Sequence, residues 1–323
     1  SRFYLKKCRN LTIENDGSSK AGGLSFMGKI IFVVNPVAGG GRAKGLIPKI
    51  KEQMHSRTTD YKIVISQKPK DAIEIAKDAL NKGYENLVAV GGDGTVNEVA
   101  LSILESGRGI LGIIPSGTGN DLARSLKIPF DPEQALNTIL AGQYKKIDVG
   151  MVNGRPFLNI ASIGFDSAVV KNTEKIKKRV KSKLAYIIGI LVTLIGFKDI
   201  KVKLQTDDQT IDENLLLVAV GNGKYYGGGL KVLPMAIVED GYFHICIVKK
   251  MPKLQFLLLL PTIIKGNHVR LTKYVQIYKT KKAQIDIYDR AYLNMDGEIK
   301  DAGGRILFTI VAKKLPVFVN QPS

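Results

Sequence analysis

The sequence predicts an α/β protein in which a doubly wound parallel-sheet domain precedes a largely antiparallel β domain. Three observations carry this reading. In the first half, short apolar runs alternate with stretches whose apolar residues recur at helical spacing, the pattern of parallel strands joined by crossover helices. Three glycine-rich turns each follow one of those runs directly, and ligands of such sheets sit at the carboxyl ends of the strands. Beyond Val149 the helical period gives way to short, partly alternating strand-like runs separated by Gly, Asp and Asn. A chain of 323 residues is long enough for two sizeable cores.

Residues 1–26 hold neither the apolar core of a signal peptide nor a clear helical period, and read as a leader segment or extra arm. The first strand, Lys29–Val34, runs into Asn35-Pro36-Val37-Ala38-Gly39-Gly40-Gly41-Arg42, a glycine loop that ends in a basic side chain suited to phosphate. It is not a Walker A loop. Gly23 to Lys29 has the Gly-x4-Gly-Lys spacing, but Ile30 follows where Ser or Thr is required. No Gly-x-Gly-x-x-Gly run follows a strand and opens a helix, so a dinucleotide-type site is unsupported.

Tyr61–Ile65 is the next strand, and Ala72, Ile75, Ala76, Ala79 and Leu80 mark one face of the helix after it. Leu87–Val90 follows as a buried strand and stops at Gly91-Gly92-Asp93-Gly94. Thr95 then opens a helix with Val96, Val99, Ala100, Ile103 and Leu104 on one face. A strand, a glycine turn and a helix N-terminus together make a phosphate site, because backbone N–H groups come close and the helix dipole favours negative charge. Asp93 is the odd member. A carboxylate among phosphates repels them unless a metal or proton lies between, which points to Mg²⁺-nucleotide chemistry. The plainer reading is a tight βα turn whose Asp caps the helix. Ile110–Ile114 is the fourth strand, ending in Pro115-Ser116-Gly117-Thr118-Gly119-Asn120-Asp121, so all three turns are expected on one sheet edge.

In the second half, Arg155–Ile163, Leu215–Val220, Gly241–Val248, Val275–Tyr278 and Gln284–Tyr288 are the expected strands. Among them lies Lys171–Lys183, with seven basic residues and one acid, followed by the apolar run Leu184–Phe197. A spanning helix needs about 20 apolar residues, so this run is too short. A basic cluster joined to an apolar run suits either an interfacial segment on anionic lipid or a core helix. Phe256–Ile264, shorter and holding Pro261, reads as a buried core helix. The formal charge of +19 suits an anionic partner, here expected to be a membrane surface rather than nucleic acid. Two cysteines, Cys8 and Cys246, cannot build a disulfide framework, and a cytoplasmic location is expected. Asp296-Gly297-Glu298 places two carboxylates around a glycine turn, an arrangement able to supply a general base.

Three segments taken together resemble one family. Asn35-Pro36-x-x-Gly39, Gly91-Gly92-Asp93-Gly94-Thr95-x-Asn97-Glu98 and Gly117-Thr118-Gly119-Asn120-Asp121-x-Ala123-Arg124 look like the signatures of soluble bacterial diacylglycerol kinase-type lipid kinases, a resemblance covering Met27 to about Val319. It implies a three-layer nucleotide domain over 27–148, completed by a return of residues 303–323, and a β-sandwich-like lipid domain over 149–302. It implies ATP held by Asn35, Pro36, Val37, Ala38, Gly39, Ser66, Gly91, Gly92, Asp93, Gly94, Thr95, Val96, Asn97 and Thr118. The family often has a hydroxyl residue where Ala38 stands, so that contact is missing here. A structural Mg²⁺ is implied at Ile237, Asp240 and Tyr242, and a metal–water network through Asp93, Asp121 and Asp148. Glu298 matches the proton acceptor, with Asp296 beside it. The implied reaction is phosphorylation of diacylglycerol or a related lipid by ATP, on the inner face of the cell membrane, to which the enzyme is peripherally bound. NAD or another small metabolite as acceptor, or a non-catalytic lipid- or nucleotide-binding regulator, remain alternatives, although intact Asp93, Asp296 and Glu298 argue against the regulator. A homodimer is compatible with the chain, which shows no sign of its oligomeric state.

Overall fold

The computed structural model describes residues 28–55, 59–177 and 183–320. The expected leader and residues 178–182 of the basic cluster lie outside them.

Four apolar runs form the parallel half of the sheet: β1 (Ile30–Val34), β2 (Tyr61–Ile65), β3 (Asn86–Gly91) and β4 (Ile110–Pro115). Their order is β4-β3-β1-β2, every pair parallel and in register. Every residue of β1 and β3 is buried, which accounts for sequences that are apolar throughout but for Asn86 at the start of β3. The crossovers carry α1 (Arg42–Gly45), α2 (Ile47–His55), α3 (Asp71–Asn81), α4 (Asp93–Ser106), α5 (Asp121–Ser125) and α6 (Pro132–Leu140). Helix α4 begins two residues before Thr95, so the carboxylate of the central turn sits in the first helical turn. At α6, Asp131 accepts a hydrogen bond from the Gln134 N–H and Pro132 occupies the first turn, two strong helix-start signals.

The second half is antiparallel throughout: β5 (Tyr144–Val152), β6 (Arg155–Phe157), β7 (Ile160–Gly164), β8 (Ile200–Thr206), β9 (Thr210–Gly221), β10 (Phe243–Lys249), β11 (Val275–Thr280) and β12 (Lys282–Met295). Three helices accompany it, α7 (Phe165–Lys177), α8 (Lys183–Gly196) and α9 (Lys253–Lys265). The last strand, β13 (Glu298–Phe318), pairs antiparallel with β12 and β5 and then lies parallel to β4, with Val317 opposite Leu111. One continuous sheet therefore runs through both halves, ordered β11-β10-β9-β7-β12-β13-β4-β3-β1-β2.

Three apolar clusters follow. The first packs α2, α3, α4 and α6 on the parallel strands and takes in Leu315, Val317 and Phe318 from the end of the chain. The second surrounds Phe157, which stacks on Phe243 at 5.8 Å and meets Phe308 edge-on at 6.4 Å. The third lies beneath α7, α8 and α9, where Phe165 meets Phe256 at 4.6 Å and Phe197 at 5.4 Å. Each fully buried Phe contributes about 1.5–3 kcal/mol. Helices α7 and α8 approach closely at Gly189, where a Cβ would come within 2.1 Å of Thr173 Oγ1. Among the described residues no helix is long and apolar enough to cross a membrane. The Phe256–Ile264 run is not wholly core. Phe256 and Leu259 are buried, while Leu254 and Leu258 of the same helix are about 70% exposed.

Candidate active site

The three glycine turns meet beyond the carboxyl ends of β1, β3 and β4. Asn35 donates from Nδ2 to Thr95 Oγ1 at 3.2 Å, tying the first turn to α4. Gly39 has φ +61°, and a Cβ there would lie 2.0 Å from the Ser116 carbonyl. Arg42, expected to meet phosphate, braces two turns: its guanidinium donates to the Gly39 carbonyl at 3.1 Å and the Gly117 carbonyl at 2.9 Å. Gly92 has an ordinary φ of −97°, so proximity rather than backbone conformation calls for glycine. A Cβ on its neighbour Gly117 would lie 2.4 Å from Gly92 Cα. Gly94 is different. It is exposed, and a Cβ there would meet nothing within 4 Å.

Among the other residues the resemblance assigns to ATP, Pro36, Val37, Ala38 and Thr118 lie on the turns with Val37 and Thr118 exposed. Thr95 and Val96 turn into the core. Ser66 is buried and its hydroxyl points back to the Val34 carbonyl at 3.4 Å. Asn97 keeps a buried Oδ1 with no hydrogen-bond partner.

Carboxylates link these turns to the second half. Asp93 accepts from the Asn120 N–H at 2.8 Å and the Asp121 N–H at 2.6 Å. Asp121 accepts from Gly228 N–H at 3.2 Å and Gly229 N–H at 2.8 Å. Burial pushes the Asp121 carboxyl up to about 6, and the charge of Asp93 adds to the rise. Asp296 accepts from three successive amides, Leu158 at 2.6 Å, Asn159 at 3.0 Å and Ile160 at 3.1 Å. Burial pushes it too up to about 6 against those three donors, and Asp93 again contributes. Asp93, Asp121 and Asp296, far apart in sequence, thus share one electrostatic neighbourhood. Crowded carboxylates, with Asp121 and Asp296 pushed up, mark a place that favours a cation or a proton.

Asp93 and Asp121 carry the oxygen donors Mg²⁺ takes at nucleotide sites, through the lone pairs left beyond the amides they accept, with phosphates and water completing its shell. A closed cage is not what they form: no group of three or more His, Cys, Asp or Glu able to hold a metal occurs among the described residues. Asp148 stands elsewhere. Its wholly buried carboxylate accepts from Gly241 N–H at 2.6 Å and Lys313 N–H at 2.7 Å, and no described hydrogen bond joins it to Asp93 or Asp121. It holds the 237–242 turn. There Asp240 accepts from the Tyr242 N–H at 3.1 Å and pairs with Lys279 Nζ at 2.9 Å, while the Lys279 ammonium lies 4.4 Å from the Tyr242 ring centre. Ile237, Asp240 and Tyr242 lie on this one turn, where the Lys279 ammonium pairs with the one carboxylate, and the resemblance offers the backbone carbonyls of Ile237 and Tyr242 rather than their side chains to a Mg²⁺.

Glu298 differs from Asp296 in every respect. Its side chain is 60% exposed, with Lys70 Nζ at 4.0 Å and Lys300 Nζ at 3.6 Å. On the other side of the same turn, Asn294 accepts from the Gly297 N–H at 2.9 Å, and its side chain also hydrogen-bonds Asp166. Asp166 is buried, receives Ser162 Oγ and the Tyr226 hydroxyl at 2.8 Å, and is pushed up by burial. It lies at the wall of an apolar cavity of about 60 Å³ between the sheet and α7, α8 and α9, lined by Val169, Ile190, Leu217, Phe256 and Leu260 among others. Nothing in the sequence pattern singled out Asp166, Asn294 or the backbone amides of 158–160. The Gly227-Gly228-Gly229 run was the one visible signal for the donors to Asp121.

A model of the diacylglycerol kinase catalytic domain matches residues 29–152, and one of the YegS C-terminal NAD kinase beta sandwich-like domain matches 159–319. The chain is 31% identical over 292 residues to the diacylglycerol kinase of Staphylococcus carnosus, covering 90% of this chain and 94% of that one. The chain belongs to the diacylglycerol kinase family. It carries that family's kinase catalytic domain and its β-rich C-terminal half. The diacylglycerol kinase of Staphylococcus epidermidis is 32% identical over 276 residues, or 85% of this chain and 86% of that one. A crystal structure of a diacylglycerol kinase from Bacillus anthracis superposes with a TM-score of 0.71 at 23% identity, covering 92% of this chain and 98% of that chain. An NAD kinase from Archaeoglobus fulgidus in complex with ATP shares the fold at a TM-score of 0.50 and 12% identity, over 91% of this chain and 94% of that chain.

Proposed function

We propose that this member of the family transfers the γ-phosphoryl group of ATP to the free hydroxyl of diacylglycerol, giving phosphatidic acid and ADP. The observation that carries the reading is the position of the Asn294–Glu298 turn. On one side Asp296 feels the charge of Asp93 in the glycine turns, and on the other Asn294 reaches Asp166 at the wall of the apolar cavity. A base on that turn stands between a phosphate cradle and a space for hydrocarbon.

Glu298 is the base in this reading, because its carboxylate is exposed, whereas both oxygens of Asp296 are committed to backbone amides. Glu298 receives the acceptor proton as the lipid oxygen bonds to the γ-phosphorus and the bond to the β,γ-bridging oxygen breaks, releasing ADP. Asp93 and Asp121 would hold the Mg²⁺ that neutralises phosphate charge. The turn amides beside the exposed Gly94 receive the phosphates. The cavity is too small for a whole acyl chain, so entry of one requires α8 and α9 to part.

Docking on the membrane is part of the same reading. Val192 and Ile195 on α8 and Leu254, Leu258 and Ile264 on α9 are exposed apolar residues, and α8 follows the basic Lys171–Lys183 run in sequence. The test is transfer of labelled phosphate from ATP to diacylglycerol in anionic vesicles, with NAD assayed in parallel. Glu298→Gln should lower turnover by about 10² or more without changing ATP affinity. Labelled NADP instead of labelled lipid, or full turnover by Glu298→Gln, would refute the reading.

A further inference from the structure

We infer that Lys70, on the turn between β2 and α3, is a positioning residue of the transfer site that acts through Glu298. This rests on the reading of Glu298 as base.

Lys70 is one of few non-glycine residues in the left-handed region, with φ +67°. A side chain there carries a backbone cost that glycine would not. The turn is nevertheless firmly fixed. The Lys70 N–H donates to Glu98 Oε1 at 3.2 Å, the Ala72 N–H also bonds that carboxylate, and Asp71 closes the loop by accepting from the Gln67 N–H at 2.7 Å. Glu98 lies on α4, one turn beyond the glycine motif, so the base of Lys70 is strapped to the helix that opens at Asp93. From this anchor the ammonium reaches Glu298 Oε1 at 4.0 Å, while Lys300 approaches Oε2 at 3.6 Å. Lys300 comes from the same hairpin as Glu298. Lys70 comes from the parallel half of the sheet.

Stability does not explain this placement. The pair is exposed on both sides, 74% for Lys70 and 60% for Glu298, and such pairs contribute little to folding. A charge held at a backbone cost, with little stability in return, is accounted for by work at the site. Lys70 draws the carboxylate of the second half toward the edge where the glycine turns would present the phosphoryl group. It also adds positive charge beside the point where that group is transferred.

The experiment compares Lys70→Met, Lys70→Arg and Lys70→Gly with wild type, alone and with Glu298→Gln, by kcat and KM for ATP on diacylglycerol vesicles and by thermal melting. Lys70→Met should lower kcat by about tenfold with an unchanged KM for ATP, and Lys70→Arg should recover most of the loss. Lys70→Gly should melt higher than wild type, its backbone strain relieved, yet turn over as slowly as Lys70→Met. In the Glu298→Gln background Lys70→Met should cause no further loss. Wild-type turnover by Lys70→Met, or an equal loss with and without Glu298, overturns the inference while leaving the lipid kinase reading intact. A wild type that phosphorylates no diacylglycerol overturns both.

Discussion

Two glycines of the site should respond to the same methyl group in opposite ways. At Gly117 an added Cβ would fall 2.4 Å from Gly92 Cα, backbone against backbone, with no flexible side chain to yield. Gly117→Ala should therefore lower the melting temperature and weaken ATP binding together. At Gly94 the methyl group would enter open space in the first turn of α4, where alanine is the better helix former by roughly 0.5–1 kcal/mol. Gly94→Ala should melt at or above the wild-type temperature and still lose ATP affinity by calorimetry, because the methyl occupies the approach of the phosphates. Unchanged affinity in Gly94→Ala would move the phosphates away from this turn. Sequence alone marks both glycines but cannot separate them, since what differs is the distance to a loop some twenty residues away. The same holds for Arg42. A basic residue at the end of a glycine loop reads as a phosphate ligand, and its two bonds to the carbonyls of neighbouring turns are invisible in the sequence. The carboxylates were legible as residues, and their three-way convergence was not, because it depends on β13 joining β12 to the edge of the parallel strands.

At the scale of elements, periodicity was legible wherever a segment has one environment along its length. The buried strands β1 and β3 and the amphipathic α3 are such cases. Strand β5 was hidden because its first residues, Tyr144-Lys145-Lys146, are polar and largely exposed, and only from Ile147 does it enter the core. Strand β9 likewise starts exposed and ends buried, so only its last part showed as a run. Helix α9 was hidden in another way. Its apolar residues outnumber what its buried face requires, so composition suggested core while Leu254 and Leu258 stayed outside. That surplus is the basis of a prediction. Changing Ile195, Leu254 and Leu258 to Ser should reduce sedimentation with anionic vesicles severalfold, since their apolar area is what a bilayer would bury. Melting temperature and activity on a short-chain, water-soluble diacylglycerol should stay at wild-type values. Equal vesicle binding by the triple variant would assign the contact to the basic residues alone.

Across the whole molecule, the order of parallel and antiparallel segments was readable from the spacing of runs and turns, and the reach of the last strand came only through resemblance. Strand β13 reads locally as an ordinary amphipathic hairpin arm. Nothing in residues 298–318 announces that their far end will lie beside β4. That single pairing has a consequence for the birth of the protein. Leu315, Val317 and Phe318 belong to the same cluster as Phe32 and Leu87, so the half of the molecule made first leaves the ribosome lacking a strand of its own core. The usual order, in which an N-terminal domain folds as soon as it emerges, is closed to it. Chains arrested before Leu315 should expose residues 30–140 to limited proteolysis, and emergence of residues 315–318 should protect both halves at once. Protection of the first half in arrested chains would show that β1 to β4 suffice on their own. If they do not, nascent chains carry an uncovered edge of β4 until residues 315–318 have emerged, and the cell must shield it.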